Sequence, residues 1–141
     1  MIFIDSNVLI DIFTRDTKWV KWSRSALLIA RERGQIVINQ IIVAEVAPQI
    51  GTLDAFMKWL QPFEVQHLSI SDEVAYCAGH AFLTHRQKRR SGQEQSKSIL
   101  ADFLIGGHAQ TLGATILTRD ARFYRTYFPS VPLITPDKAE I

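Results

Sequence analysis

The stretch Met1-Ile2-Phe3-Ile4-Asp5-Ser6-Asn7-Val8 decides how the rest of the chain is read. Ile2, Phe3 and Ile4 form an unbroken apolar run that stops on a carboxylate. An unbroken run suits a strand covered on both faces, as in a parallel sheet, better than the half-exposed strand of an antiparallel one. Further short runs of the same kind, separated by helices, should then follow. Ile36-Val37-Ile38 is one, and 63–68, 114–118 and 131–135 are others.

Helical signals fill the gaps between them. Over 17–34, Trp19, Trp22, Ala26 and Ile29 recur at three- and four-residue steps, with Thr17 placed to cap the start and Gly34 to end it. Asn39 can cap a helix that runs past Glu45 and shortens at Pro48. Thr52 opens a short helix stopped by Pro62. Ser71, with Asp72 and Glu73 behind it, opens a longer one carrying Val74, Ala78, Ala81 and Phe82 on one side. That helix fades into the polar stretch 85–92. Ser96 or Ser98 starts a last long helix, closed by Gly113. The segment between Asp5 and the first clear helix, including Asp11, shows no role. Strand alternating with helix is an α/β pattern with a parallel sheet. Right-handed crossovers gather the strand C-terminal ends on one edge, where ligands bind in open α/β sheets.

Length and composition agree with one globular domain spanning 1–141. The chain has 141 residues, 47% hydrophobic, 10% aromatic and 21% charged. Its single cysteine, Cys77, excludes an internal disulfide and a cysteine-based zinc site within one chain. No apolar run approaches the ~18 residues of a membrane span. The N-terminus carries no basic segment before its apolar residues, so a signal peptide is not expected. The expected location is cytoplasmic. Net charge is only +2, and the distribution of the charges says more than the total.

Most of the 14 acidic residues explain themselves. Asp16, Asp54, Asp72 and Glu73 stand at helix starts, and Glu32, Glu64, Glu94, Asp137 and Glu140 lie in polar or terminal stretches. Four stand in apolar settings. Asp5 closes the first strand, and Asp120 follows the strand ending Ile116-Leu117-Thr118. Glu45 lies within Ile41-Ile42-Val43-Ala44-Glu45-Val46, and Asp102 within Leu100-Ala101-Asp102-Phe103-Leu104. Glu45 and Asp102 are expected on the first turns of helices starting at the edge where Asp5 and Asp120 end their strands. Singly, each has a mundane reading: a helix cap for Asp5, a turn residue for Asp120, ion pairs to Lys97 or Arg119 for the other two. Together they form a carboxylate cluster. Like charges ~4 Å apart repel by about 4 kcal/mol even at an effective dielectric of 20. A divalent cation would neutralise such a cluster, and all-oxygen ligation suits Mg²⁺ or Mn²⁺. Metal-assisted phosphoryl transfer is the matching chemistry.

The motifs Ile4-Asp5-Ser6-Asn7-Val8-Leu9-Ile10, Val43-Ala44-Glu45-Val46, Ala101-Asp102-Phe103-Leu104-Ile105-Gly106-Gly107-His108-Ala109 and Leu117-Thr118-Arg119-Asp120-Ala121-Arg122-Phe123 occur in that order. In this the chain resembles the PIN domain family, and within it the VapC-type toxins of type II toxin–antitoxin pairs. The resemblance covers nearly the whole chain. It implies a three-layer α/β/α sandwich with a parallel five-stranded sheet of order 3-2-1-4-5. It also implies an Mg²⁺- or Mn²⁺-dependent endoribonuclease that hydrolyses RNA phosphodiesters through a metal-activated water, leaving 5′-phosphate and 3′-hydroxyl ends. Asp5, Glu45, Asp102 and Asp120 match the acidic quartet that is catalytic and holds metal. Asn7 and Thr118 match supporting polar positions that orient a carboxylate or a water. A cognate antitoxin is the implied partner and a homodimer the default assembly. Gly106-Gly107 stands where many members have alanine. Gly106, four residues after Asp102, would keep that face of the helix clear beside the metal site.

Other features are weighed beside this. Arg119 and Arg122 flank Asp120 and are candidates to bind substrate phosphate. Arg86, Lys88, Arg89 and Arg90 suit either phosphate and acidic-partner contacts or a solvated helix end. His67, His80, His85 and His108 show no metal-ligand spacing and read as ordinary polar positions. Cys77 reads as a small core residue. Trp19, Trp22 and Trp59 read as packing residues, with Trp19, Val20 and Trp22 leaving apolar surface for an antitoxin or a second subunit. Two other classes stay open. A haloacid dehalogenase-like phosphatase also begins with a strand ending in Asp, but needs a second Asp where this chain has Asn7. A non-catalytic PIN-fold binding module would leave the clustered acids uncompensated.

Overall fold

Ile2, Phe3 and Ile4 form the middle strand of a five-stranded sheet and are buried on both faces. The computed structural model describes residues 1–90 and 99–136. The strands β1 (Ile2–Ile4), β2 (Ile36–Asn39), β3 (Gln66–Leu68), β4 (Thr115–Leu117) and β5 (Leu133–Ile134) run parallel in the order β3-β2-β1-β4-β5. Ile2 pairs with Ile36 on one side and Thr115 on the other, and Ile4 pairs with Leu117. Helices cover the sheet on both faces. The order and the layers are those the resemblance implies. β3 is shorter than the apolar run suggested, and its Gln66 and His67 are exposed, because it is an edge strand.

Among the described residues, seven α-helices connect the strands: α1 (Ser6–Phe13), α2 (Val20–Arg33), α3 (Gln40–Val46), α4 (Leu53–Leu60), α5 (Asp72–Arg90), α6 (Ile99–Leu112) and α7 (Arg122–Tyr127). The caps anticipated from sequence form at α3, α4 and α5. Asn39 Oδ1 accepts from the Ile41 and Ile42 amides, Thr52 from Ala55, and Ser71 from Val74. At α2 the sequence reading fails. The helix starts at Val20, and Asp16 rather than Thr17 holds the preceding turn by accepting from the Lys18 and Trp19 amides, both at 2.9 Å. Gly34 ends α2 with φ 177°, extended backbone that any residue adopts. Gly113, at φ +66°, does use the left-handed region and closes α6, with the Ala114 amide reaching back to the Ala109 carbonyl.

The motif Gly106-Gly107 serves packing. A Cβ on Gly106 would fall 2.3 Å from the ring of Phe128, and one on Gly107 would press on the Ala78 backbone of α5 at 3.1 Å. These glycines let α6 lie against α5 and the buried Phe128, which corrects the expectation that Gly106 clears a metal site. Phe103 is the hub of this region, with Phe123 at 4.8 Å and Tyr127 at 5.0 Å between ring centroids. His85 and His108 are buried, not ordinary polar positions. The His85 ring meets the Tyr127 hydroxyl, and His108 Nδ1 meets Asn39 Nδ2, which makes Nδ1 the acceptor. Cys77 is half-buried at the α5–α6 seam, where its sulfur accepts from Gln110. Trp59 packs on Phe13 and Phe63. Within the basic segment, Arg86 is exposed. The side chains at 88–90, and residues 91–98 and 137–141 with Glu94, Ser96, Lys97, Ser98, Asp137 and Glu140, lie outside the described residues.

Candidate active site at the sheet edge

Asp5 leaves the C-terminal end of β1 and caps α1, its Oδ1 accepting from the Ser6 amide at 2.7 Å. The cap and the functional reading therefore coexist in one residue. Helix α1, which a capping role for Asp5 implies, spans the eight residues Ser6–Phe13 and buries Ser6, Val8, Leu9 and Asp11. Asp5 is 6% exposed, and its Oδ2 accepts from the Thr118 hydroxyl at 2.9 Å and the Tyr124 hydroxyl at 3.0 Å. Three of its four lone-pair sites are thus occupied, leaving one on Oδ1.

Thr118, just beyond β4, ties the site together. Its single proton goes to Asp5, the shorter of its two acceptor contacts, while its oxygen accepts from Asn7 Nδ2 at 3.2 Å and the Asp120 amide at 3.1 Å. Asn7 Oδ1 in turn accepts from the Arg119 amide at 3.3 Å. The supporting positions Asn7 and Thr118 hence fix the turn that presents Asp120, which is exposed. Glu45 lies in the last turn of α3 rather than the first, and the Ser6 hydroxyl donates to its Oε1 at 2.7 Å. Ser6 therefore bridges two of the acids, through its amide to Asp5 and its hydroxyl to Glu45. Asp102 stands in the first turn of α6 as expected.

The four carboxylates converge electrostatically. Burial pushes Asp5 up to about 6; the Thr118 and Tyr124 hydrogen bonds oppose this, and the charge of Glu45 adds to it. Asp102 is pushed up to about 7, first by burial and then by the charges of Asp5, Glu45 and Asp120. Tyr124 is pushed well above its ordinary value by burial and the same acids, so its hydroxyl stays a donor. Among the described residues, no three histidine, cysteine, aspartate or glutamate side chains stand close enough to hold a metal ion in the positions they occupy. The donor chemistry still suits a hard cation: four carboxylates, and an unneutralised repulsion that Asp102 registers from three sides.

Asp11, without a role in the sequence, is 1% exposed and receives the Ser23 hydroxyl at 2.8 Å and Arg119 Nε at 2.7 Å. Arg119, a candidate for substrate, is thereby held by protein, and the Asp11 hydrogen bond raises its pKa. Ion pairing of Arg119 to Glu45 or Asp102 is not what forms. Arg119 lines a cleft of about 420 Å³ with Trp19, Asp120, Arg122 and Arg125. Arg122 is exposed there. Sequence reasoning missed Ser6, Asp11 and Tyr124. Ser6 had a signal, its place beside Asp5; Tyr124 is brought to Asp5 only by the docking of α7.

The PIN domain family matches residues 2–129. No curated protein matches the chain in sequence. Solved structures do match its fold. VapBC2 of Rickettsia felis, bound to a DNA fragment from its promoter, is 17% identical with a TM-score of 0.66, covering 96% of this chain and 98% of that one. A toxin–antitoxin complex of Klebsiella pneumoniae is 21% identical with a TM-score of 0.64 and the same coverage. FitAcB of Neisseria gonorrhoeae is 20% identical with a TM-score of 0.60 over the same shares. Matched from its first strand to the end of its last helix, the chain belongs to the PIN domain family.

Proposed function

We propose that this protein is an endoribonuclease, dependent on Mg²⁺ or Mn²⁺, and the toxin of a type II toxin–antitoxin pair. One observation carries the nuclease reading: carboxylates from β1, α3, α6 and the turn after β4 lie near enough on one sheet edge for three of them to raise the pKa of the fourth. Asp5, Glu45, Asp102 and Asp120 would hold the metal, Asp5 through the lone pair left on Oδ1. When bound, the metal would neutralise the cluster and supply an activated water and a clamp on phosphate oxygens. Asn7 and Thr118 keep Asp120 presented, Ser6 spaces Asp5 from Glu45, and Tyr124 keeps a donor on Asp5. Arg119 and Arg122 meet substrate phosphates. The phosphatase alternative loses its acid/base group, since Asn7 stands at that position with both ends of its amide engaged.

The likeness to toxin–antitoxin complexes supports an antitoxin partner; a homodimer of single-domain subunits and a cytoplasmic location complete the proposal. Among the described residues, no helix is long and apolar enough to cross a membrane. The test compares purified wild type with Asp5→Asn on RNA, with and without Mg²⁺ or Mn²⁺. Metal-dependent cleavage lost in Asp5→Asn is expected; equal cleavage by both would overturn the assignment. The toxin role predicts a short neighbouring reading frame whose product binds the protein and suppresses its activity.

A further inference from the structure

The pair Asp11–Arg119 stands outside the acidic quartet and is unusually well built. Asp11 is buried in α1, yet its Oδ2 takes both the Ser23 hydroxyl and Arg119 Nε. Burying a carboxylate costs several kcal/mol even when it is paired, and an apolar pair in its place is often as stable. Holding Arg119 in one orientation is a use that an apolar pair could not serve. Arg119 spends only Nε on Asp11, so four of its five donors are left on the two terminal nitrogens. Among the described residues, the guanidinium's hydrogen bond and ion pair are both made by Nε to Asp11. The indole of Trp19 lies under the guanidinium, 5.5 Å from ring centroid to Cζ, which limits its swing. The residue lines the cleft that also holds Asp120 and the exposed Arg122. A planar guanidinium fixed at one edge and open at the other is a bidentate receptor for phosphate. The volume, about 420 Å³, falls within the range of sites for nucleotide-sized groups, roughly 300–1,000 Å³.

We propose that Asp11 is a positioning residue for substrate: it clamps Arg119 by Nε so that the terminal nitrogens bind an RNA phosphate next to the one cleaved, in the cleft beside Asp120. The inference rests on the nuclease reading. Lysine cannot replace Arg119 in this role, because one ammonium cannot both satisfy buried Asp11 and face the cleft as a fork.

The test is single-turnover cleavage of a single-stranded RNA oligonucleotide by excess protein in Mg²⁺, separating the half-saturating protein concentration from the maximal rate. Arg119→Lys, Arg119→Ala and Asp11→Asn are each expected to raise the half-saturating concentration about tenfold, as for loss of one charge-assisted pair. The maximal rate stays within threefold. The slope of log affinity against log salt falls by about 0.7, one phosphate contact on a single strand. Adding Asp11→Asn to Arg119→Ala changes neither further. Arg119→Lys, which keeps the charge beside Asp11, covers the case in which Asp11→Asn fails to fold. A wild-type half-saturating concentration in Arg119→Lys overturns the proposal. So does a fall in maximal rate alone, which would mean that Asp11 serves the Asp120 turn. Loss of binding to a polyglutamate peptide with RNA binding intact would assign the cleft to an acidic protein partner and also overturn it. Failure of the wild type to cleave RNA would instead sink the nuclease reading.

Discussion

At the scale of single residues, the site is organised by hydroxyl groups whose protons have one place to go. Thr118 donates to Asp5 because both of its lone pairs are filled, by Asn7 and by the Asp120 amide. Tyr124 donates to Asp5 because burial and the surrounding acids keep its proton on. Replacing Tyr124 with Phe removes a donor that lowers the pKa of Asp5. Asp5 in the metal-free protein should then titrate above about 6, as followed by carboxyl carbon NMR, with about 1 kcal/mol lost in stability. An unchanged Asp5 titration would show that the hydroxyl does not govern it. Asp5, Glu45, Asp102 and Asp120 could be singled out in the sequence because together, though not singly, they are acids in apolar settings expected at one sheet edge. Tyr124 was not, because nothing local in Arg122-Phe123-Tyr124-Arg125 marks which ring turns inward. Asp11 was unreadable for a related reason: its partners Ser23 and Arg119 lie 12 and 108 positions away.

At the scale of elements, the apolar runs gave away the sheet, and polar caps gave away the starts of α3, α4 and α5. Helix α1 is signalled at its start by Asp5, but the burial of polar Ser6 and Asp11 beside Val8 and Leu9 does not follow from the local sequence. The ends of α2 show that a glycine past a helix is not always a left-handed cap. Gly34 sits at φ 177°, and a Cβ there would meet nothing closer than 3.9 Å. Gly34→Ala should therefore change stability by no more than about 0.5 kcal/mol. Gly106→Ala places a methyl 2.3 Å from the Phe128 ring, inside a packed core, and should cost about 1–3 kcal/mol. Thermal denaturation of the two variants separates the cases. A neutral Gly106→Ala would mean that Phe128 can move aside, and that the closeness of α6 to it is not set by the missing side chain.

At the scale of the whole molecule, the net charge of +2 conceals two opposed sets. Without the quartet, the chain has 16 basic residues against 14 − 4 = 10 acidic ones. The acids sit where their own charges are costly, which ties stability to pH. Asp5 and Asp102 have folded pKa values of about 6 and about 7, above the ordinary 3.8. The folded state thus holds their protons longer than the unfolded chain does. The stability this gives is full below about pH 4 and is lost as pH rises through 6 and 7. His108 and His67, lowered by burial, act the other way: the folded state resists protonating them, so stability falls as pH drops below their ordinary 6.5. Removing one acid separates these opposing effects. Asp102→Asn should lie closer in melting temperature to wild type at pH 5 than at pH 8, where the wild type carries the extra repulsion and the variant should melt higher by a few degrees. Under the proposed metal binding, adding Mg²⁺ or Mn²⁺ should reverse that order at pH 8, since the metal would stabilise only the chain that retains the full set of carboxylates. At pH 5 the same addition should do little, because protons already occupy the sites that the metal would take. A wild-type gain from metal that is equal at pH 5 and pH 8, or shared by Asp102→Asn, would place the metal away from this carboxylate edge.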